Sequence, residues 1–304
     1  MKHITDAMID ATLSPQDALE VLEDAFRQFG QDRAAMQERI RTEAGGVKLS
    51  TLGAVIPGQG VAGAKVYTTI QGQFNFVILL FSTADGRPLA SFDAGAITRL
   101  RTAACSVIAA RHLARANART MALFGAGTQG RAHAHAMARA YDLREIRVVD
   151  PYAGPDMAHE LQQACGVPVR RCEAADALAG ADLVVTASRS TTPLFGGDQL
   201  DPGTFVAAIG SSLPNTRELD DRALARAARI AVEWLPQTRR EAGDLVMAGE
   251  GVLDAAALVE LGALVSGRAP GRQTDDEITL YKSVGVGLED VALAGLAWKR
   301  IAGH

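Results

Sequence analysis

The run Gly125-Ala126-Gly127-Thr128-Gln129-Gly130, with an acid at Asp150, is the most specific chemical signal in this sequence. At this spacing the first glycine permits a tight turn and the second lets backbone approach a pyrophosphate. The third allows the next helix to pack closely. N–H groups at the start of that helix face the phosphates. The apolar run 121–124 precedes the loop, a segment of helical composition follows, and a second apolar run, 146–149, ends at Asp150. Together they predict a strand–helix–strand unit that binds a dinucleotide. A carboxylate at Asp150 accepts hydrogen bonds from ribose hydroxyls and repels a 2′-phosphate. Pro151 and Tyr152 follow it rather than an arginine, so NAD is favoured, with NADP left open.

Three cations suit a small anionic substrate. Lys65 stands in an otherwise uncharged strand, on one face with Tyr67 and Thr69. It is either a solvated outer-face residue or a cation turned into a pocket, where burial lowers its pKa. Arg101 opens Arg101-Thr102-Ala103-Ala104, and small neighbours at a helix start let a guanidinium reach a carboxylate as a fork. Arg99 competes with it on spacing alone. Arg41, near the first long strand, is by composition only a surface residue. His133 and His135 are two apart on an expected helix and do not share a metal-binding face. HExxH and GxSxG motifs are missing, so neither zinc-dependent nor serine hydrolysis has support, and no metal is expected.

These residues need elements to position them. Ser14, Pro15 and Asp17 mark a helix start, and Leu19, Leu22, Ala25, Phe26 and Phe29 form its apolar stripe. Residues 47–56, 62–70, 75–82 and 88–92 read as strands of an antiparallel sheet, with Asp85-Gly86 as a turn. A helix is expected over 96–114, and 115–118 as the join to a second domain. From residue 119 strands and helices alternate, with strands at 120–124, 146–150, 167–171, 182–187, 204–209 and 229–233. Six strands in this pattern fit a doubly wound parallel sheet. Residues 252–265 and 284–301 read as helical. The fold class is therefore α/β: a Rossmann doubly wound sheet plus an α+β substrate and dimerisation domain. Residues 116–289 form the first, and 1–115 with 290–304 the second.

The chain has 304 residues and a net charge of −4, with no basic tract, so nucleic acid is not an expected partner. No apolar run reaches membrane-spanning length. Cys105, Cys165 and Cys172 are odd in number and lack CxxC spacing, and the N-terminus lacks the layout of a signal peptide. A reducing, cytoplasmic location is expected.

Several segments taken in order resemble the ornithine cyclodeaminase/mu-crystallin family: Lys65 in its strand, residues 101–104, the glycine loop, residues 214–220, Glu241-Ala242-Gly243-Asp244 and Lys282-Ser283-Val284-Gly285. The resemblance spans nearly the whole chain. It implies a homodimer formed through the N-terminal domain, with the active site in the cleft between domains. It implies that Arg41, Lys65 and Arg101 surround a substrate carboxylate and reacting nitrogen. Gly125, Ala126, Gly127, Thr128, Gln129, Gly130 and Asp150 would hold the dinucleotide. Thr186, Ala187, Ser188 and Ser283 would lie near it.

One departure matters. Ornithine cyclodeaminases carry an aspartate acid/base where this sequence has Ser212. A serine is no general base near pH 7 without an activating partner. The pattern over 210–220 is closer to mu-crystallin and the imine-reductase branch. The leading expectation is an NAD(P)-dependent oxidoreductase of small α-imino or α-amino acids. It would reduce a cyclic ketimine, such as pyrroline- or piperideine-2-carboxylate, to an L-amino acid, with Lys65, Arg101 and Ser212 as catalytic candidates. The alternatives are ornithine cyclodeaminase, an alanine-type dehydrogenase, and a dinucleotide- or small-ligand-binding protein with little catalysis.

Overall fold

Ser14 caps the first long helix, α1 (Pro15–Gly30), reciprocally. The Asp17 N–H donates to Ser14 Oγ, and the Ser14 N–H donates to Asp17 Oδ2. The apolar stripe beyond it is buried at Leu19, Leu22, Ala25 and Phe26. In the computed structural model, which describes residues 1–303, the chain divides into two units. One comprises residues 1–105 and 285–304, the other 106–284. The chain passes between them inside helix α2 (Gly95–Leu113) and again after Val284; the sequence placed these joins at 115/116 and 289/290.

The first unit is built on a seven-stranded sheet. Its strands are β1 (Lys2–Ile4), β2 (Ala35–Met36), β3 (Ile40–Ala44), β4 (Val47–Ile56), β5 (Val61–Ile70), β6 (Gln73–Ser82) and β7 (Pro88–Asp93). The order is β1-β7-β6-β5-β4-β2, with β3 also on β4. The expected antiparallel pairs are present, but β1 joins the edge in parallel, which its three residues give no pattern to predict. Period-two alternation turns Leu52, Ile56, Val61, Ile78 and Leu80 inward, and the C-terminal helix (Gly287–Ala302) packs on β4, β5 and β6. The opposite face exposes Ile40, Val47, Leu49, Val55, Ile70, Val77 and Phe81.

The second unit holds a sheet of eight parallel strands where six were expected. They are β8 (Thr120–Phe124), β9 (Glu145–Val149), β10 (Val169–Arg171), β11 (Leu183–Thr186), β12 (Phe205–Ala208), β13 (Ala227–Val232), β14 (Leu258–Glu260) and β15 (Ile278–Lys282). The order is β10-β9-β8-β11-β12-β15-β13-β14. Its first five positions are the doubly wound pattern, reversing direction beside β8. The expected helix over 252–265 is corrected to a 3-10 turn, β14 and a short helix, Leu261–Val265. β15 was missed because Thr279 and Lys282 interrupt its apolar run, yet all five residues are buried between β12 and β13. The core on one side of the sheet gathers Phe124, Val184, Val206, Leu224 and Leu280. Among the described residues no helix is long and apolar enough to cross a membrane.

Candidate functional site

In the second unit the glycine loop leaves the C-terminal end of β8, beside the point where the strand order reverses. Gly125 has φ +93°, a region that L side chains rarely adopt. A Cβ on Gly130 would stand 1.9 Å from the Gly125 carbonyl oxygen, so helix α3 (Thr128–Ala140) starts this close to the loop only with glycine there. At Gly127 a Cβ would meet no heavy atom within 4 Å, which leaves its backbone open to a ligand.

Asp150 ties the second strand to this loop. Its Oδ2 accepts the Ala126 N–H at 2.7 Å, and its Oδ1 accepts the N–H groups of Tyr152 and Ala153 at 2.9 and 3.1 Å. The carboxylate is thereby fixed at the rim of a cavity of about 920 Å³. Gly125, Gly127, Thr128 and Gln129 line one part of this cavity, and Ala187, Ser188, Ile209 and Gly210 another. Open backbone, a helix start and a fixed acid on one cavity fit a dinucleotide.

Other predicted cofactor residues are not part of this lining. The Ala126 N–H is engaged by Asp150, and Gly130 packs on Gly125. Thr186 is fully buried and its hydroxyl donates to Glu218 Oε2 at 2.8 Å. Ser283 is buried and donates to Glu233 Oε1 at 2.6 Å. Ser212 is half-buried on the loop after β12; its neighbour Ser211 accepts a hydrogen bond from Lys282 Nζ through its carbonyl oxygen, at 2.6 Å.

In the first unit, register decides between the two readings of Lys65. It pairs with Leu52 and Ile78, both fully buried, so it is on the inner face. Its Nζ lies 2.8 Å from Asp290 Oδ1 and 3.4 Å from Thr98 Oγ1, and 5.3 Å from the centre of the Phe76 ring. Arg101 comes to the same carboxylate. Its Nε is 3.5 Å from Asp290 Oδ1, and its Nη1 donates to Glu289 Oε2 at 2.6 Å. Arg99 instead pairs with Asp10 at the surface.

Burial pushes the Lys65 ammonium down to about 8, the largest influence on it. Asp290 opposes this, while the charges of Arg101 and Arg39 add to it. A lysine in this range exchanges its proton near neutral pH.

Sequence reasoning missed Glu289 and Asp290. Both are fully buried in the first turn of the C-terminal helix, where the helix dipole favours acids. Two adjacent acids at the head of the apolar stretch 291–298 were the available signal. It also missed Arg39, whose Nη2 donates to the Gly285 carbonyl at 2.7 Å. Arg41 pairs with Ser50, which pairs with Tyr67, so the register puts Arg41 on the Lys65 face.

The profile of the ornithine cyclodeaminase/mu-crystallin family matches residues 1–304. The chain belongs to this family. It is 34% identical over 266 residues to a Delta(1)-pyrroline-2-carboxylate reductase of Bacillus cereus, covering 85% of this chain and 78% of that protein. A solved structure described as a probable ornithine cyclodeaminase from Bordetella pertussis Tohama I is 62% identical, with a TM-score of 0.98, covering 100% of this chain and 97% of that one. The Delta(1)-pyrroline-2-carboxylate reductase of Thermococcus litoralis, solved with NADH and L-proline, is 25% identical, with a TM-score of 0.94 and coverage of 100% and 98%.

Proposed function

We propose that this protein is an NAD-dependent reductase of small cyclic ketimines, converting a substrate such as pyrroline-2-carboxylate to the L-amino acid. The observation that carries this reading is Lys65, a buried lysine with its pKa near 8, held by Asp290 beside Arg101. A carboxylate is the natural partner for the guanidinium of Arg101, with Arg41 contributing from the same face as Lys65. Lys65 orients the imine and delivers a proton to its nitrogen. A reduced nicotinamide held at the glycine loop would supply the hydride for the imine carbon. One hydride and one proton add across C=N, giving the secondary amine. Asp290 keeps Lys65 charged until that proton leaves. The Thermococcus litoralis neighbour, solved with NADH and L-proline, supports the cofactor and the substrate class.

Cyclodeamination of ornithine is the second reading, favoured by the 62% identity to the probable cyclodeaminase. Ser212 stands against it, since Ser212 stands where those enzymes are expected to carry an acid/base. An alanine-type dehydrogenase would use the same cations in the same way. A binder with little catalysis has no use for a buried Lys65–Asp290 pair, which is costly to desolvate. We further propose a homodimer through the exposed apolar face of the first sheet, and a reducing, cytoplasmic location consistent with three cysteines in no disulfide. Lys65→Ala and Arg101→Ala test the assignment. Each is expected to reduce kcat/KM for the imine at least about 100-fold, the scale of general acid catalysis. Wild-type turnover in both would remove these residues from the chemistry.

A further inference from the structure

Glu218 is fully buried, is not part of the lining of the nucleotide cavity, and has a carboxylate saturated by donors. Oε1 accepts the Ser188 N–H at 2.8 Å and the Ser188 hydroxyl at 2.6 Å. Oε2 accepts the Gly210 N–H at 2.7 Å and the Thr186 hydroxyl at 2.8 Å. Its backbone carbonyl accepts the Leu194 N–H at 2.9 Å. Ser188, Leu194 and Gly210 all line the nucleotide cavity. A single acid therefore joins the segment after β11 to the segment after β12.

Glu218 is itself held from behind. Asp244 Oδ1 accepts the N–H groups of Glu218 and Leu219 at 2.7 and 2.8 Å. Lys282 Nζ lies 2.8 Å from Asp244 Oδ2 and donates to Ser211 O at 2.6 Å. Asp244 and Lys282 are buried as completely as Glu218. Such a network serves geometry, because three buried charges are a poor source of stability.

Strand order says which half of the ligand is affected. Asp150 follows β9, on one side of β8; Ser188 and Gly210 follow β11 and β12, on the other. With the adenosine ribose at Asp150, the wall braced by Glu218 belongs to the nicotinamide half. We infer that Glu218, held by Asp244 and Lys282, is a positioning residue that shapes the nicotinamide half of the dinucleotide site. This rests on the reading of the cavity as a dinucleotide site.

Glutamine at 218 offers one acceptor oxygen to four donors and turns an NH2 toward some of them. We expect Glu218→Gln in the full chain to weaken NADH binding, read by fluorescence titration, about tenfold. ADP has adenosine and pyrophosphate but no nicotinamide. Its affinity, measured by calorimetry, is expected to change less than about twofold. Equal weakening of both, or no change in either, overturns the inference. If Glu218→Gln does not fold, Thr186→Val removes one donor only, and about a threefold NADH loss with ADP unchanged is expected; Thr186→Val without that split overturns the inference. A wild-type protein that binds neither NADH nor ADP overturns instead the reading of the cavity.

Discussion

Asp290→Asn is the perturbation whose outcome follows most directly from the structure. It keeps shape and removes the charge 2.8 Å from Lys65 Nζ. The remaining influences on the ammonium, burial and the charges of Arg101 and Arg39, all favour the neutral amine. An opposite charge at such a distance is worth about one to three pH units. In the wild-type protein imine reduction therefore falls as pH rises through about 8, where Lys65 loses its proton. In Asp290→Asn the fall moves to between about pH 5 and 7. The assay is kcat/KM for NADH-dependent reduction of one imine across pH in both proteins, so that titration of the substrate itself is common to the two. Stability gives a second readout. The folded pKa of Lys65, about 8, is below its ordinary 10.5, so between these values the unfolded chain binds more protons and stability rises with pH. Lowering the folded pKa extends that window downward. The variant loses most stability in acid, on the order of 3–5 kcal/mol where the lysine stays charged, and less above pH 9. A folded variant whose activity still falls at about pH 8 would refute the role given to Asp290.

Three further outcomes are expected. Asp150→Asn removes the charge that disfavours a 2′-phosphate, while its single acceptor oxygen can no longer hold both the Ala126 N–H and the Tyr152 and Ala153 N–H groups. The ratio of NADPH to NADH affinity should rise about tenfold, measured by paired titrations. Gly130→Ala puts a methyl group 1.9 Å from the Gly125 oxygen, which α3 relieves only by moving away. Thermal denaturation should show a loss of about 1–3 kcal/mol together with weakened NADH and ADP binding. Leu49→Asp places a charge in the exposed apolar face of the first sheet and should give a monomer in analytical ultracentrifugation, against a wild-type dimer.

Much of the architecture is visible in residue pattern because local rules suffice for it. The capped α1, the long antiparallel strands and the glycine loop each have periodicity or turn chemistry within one window. β15 does not, since its place between β12 and β13 comes from the whole sheet and its Lys282 is neutralised by Asp244 from far along the chain. The same holds for the site. Lys65 and Arg101 are conspicuous as cations in apolar surroundings, but Asp290 gains its meaning only when the C-terminal helix is laid across β5. Local sequence cannot tell a solvated lysine from a buried one when the partner is 225 residues away.

Product stoichiometry separates hydride transfer to a cyclic imine from cyclodeamination. The purified protein is given pyrroline-2-carboxylate with NADH, and separately L-ornithine with NAD, and proline, ammonia and NADH are measured together. One proline is expected per NADH oxidised in the first reaction, and negligible proline in the second. Proline and ammonia from ornithine without net change in NADH, and no reduction of the imine, would contradict the reductase assignment.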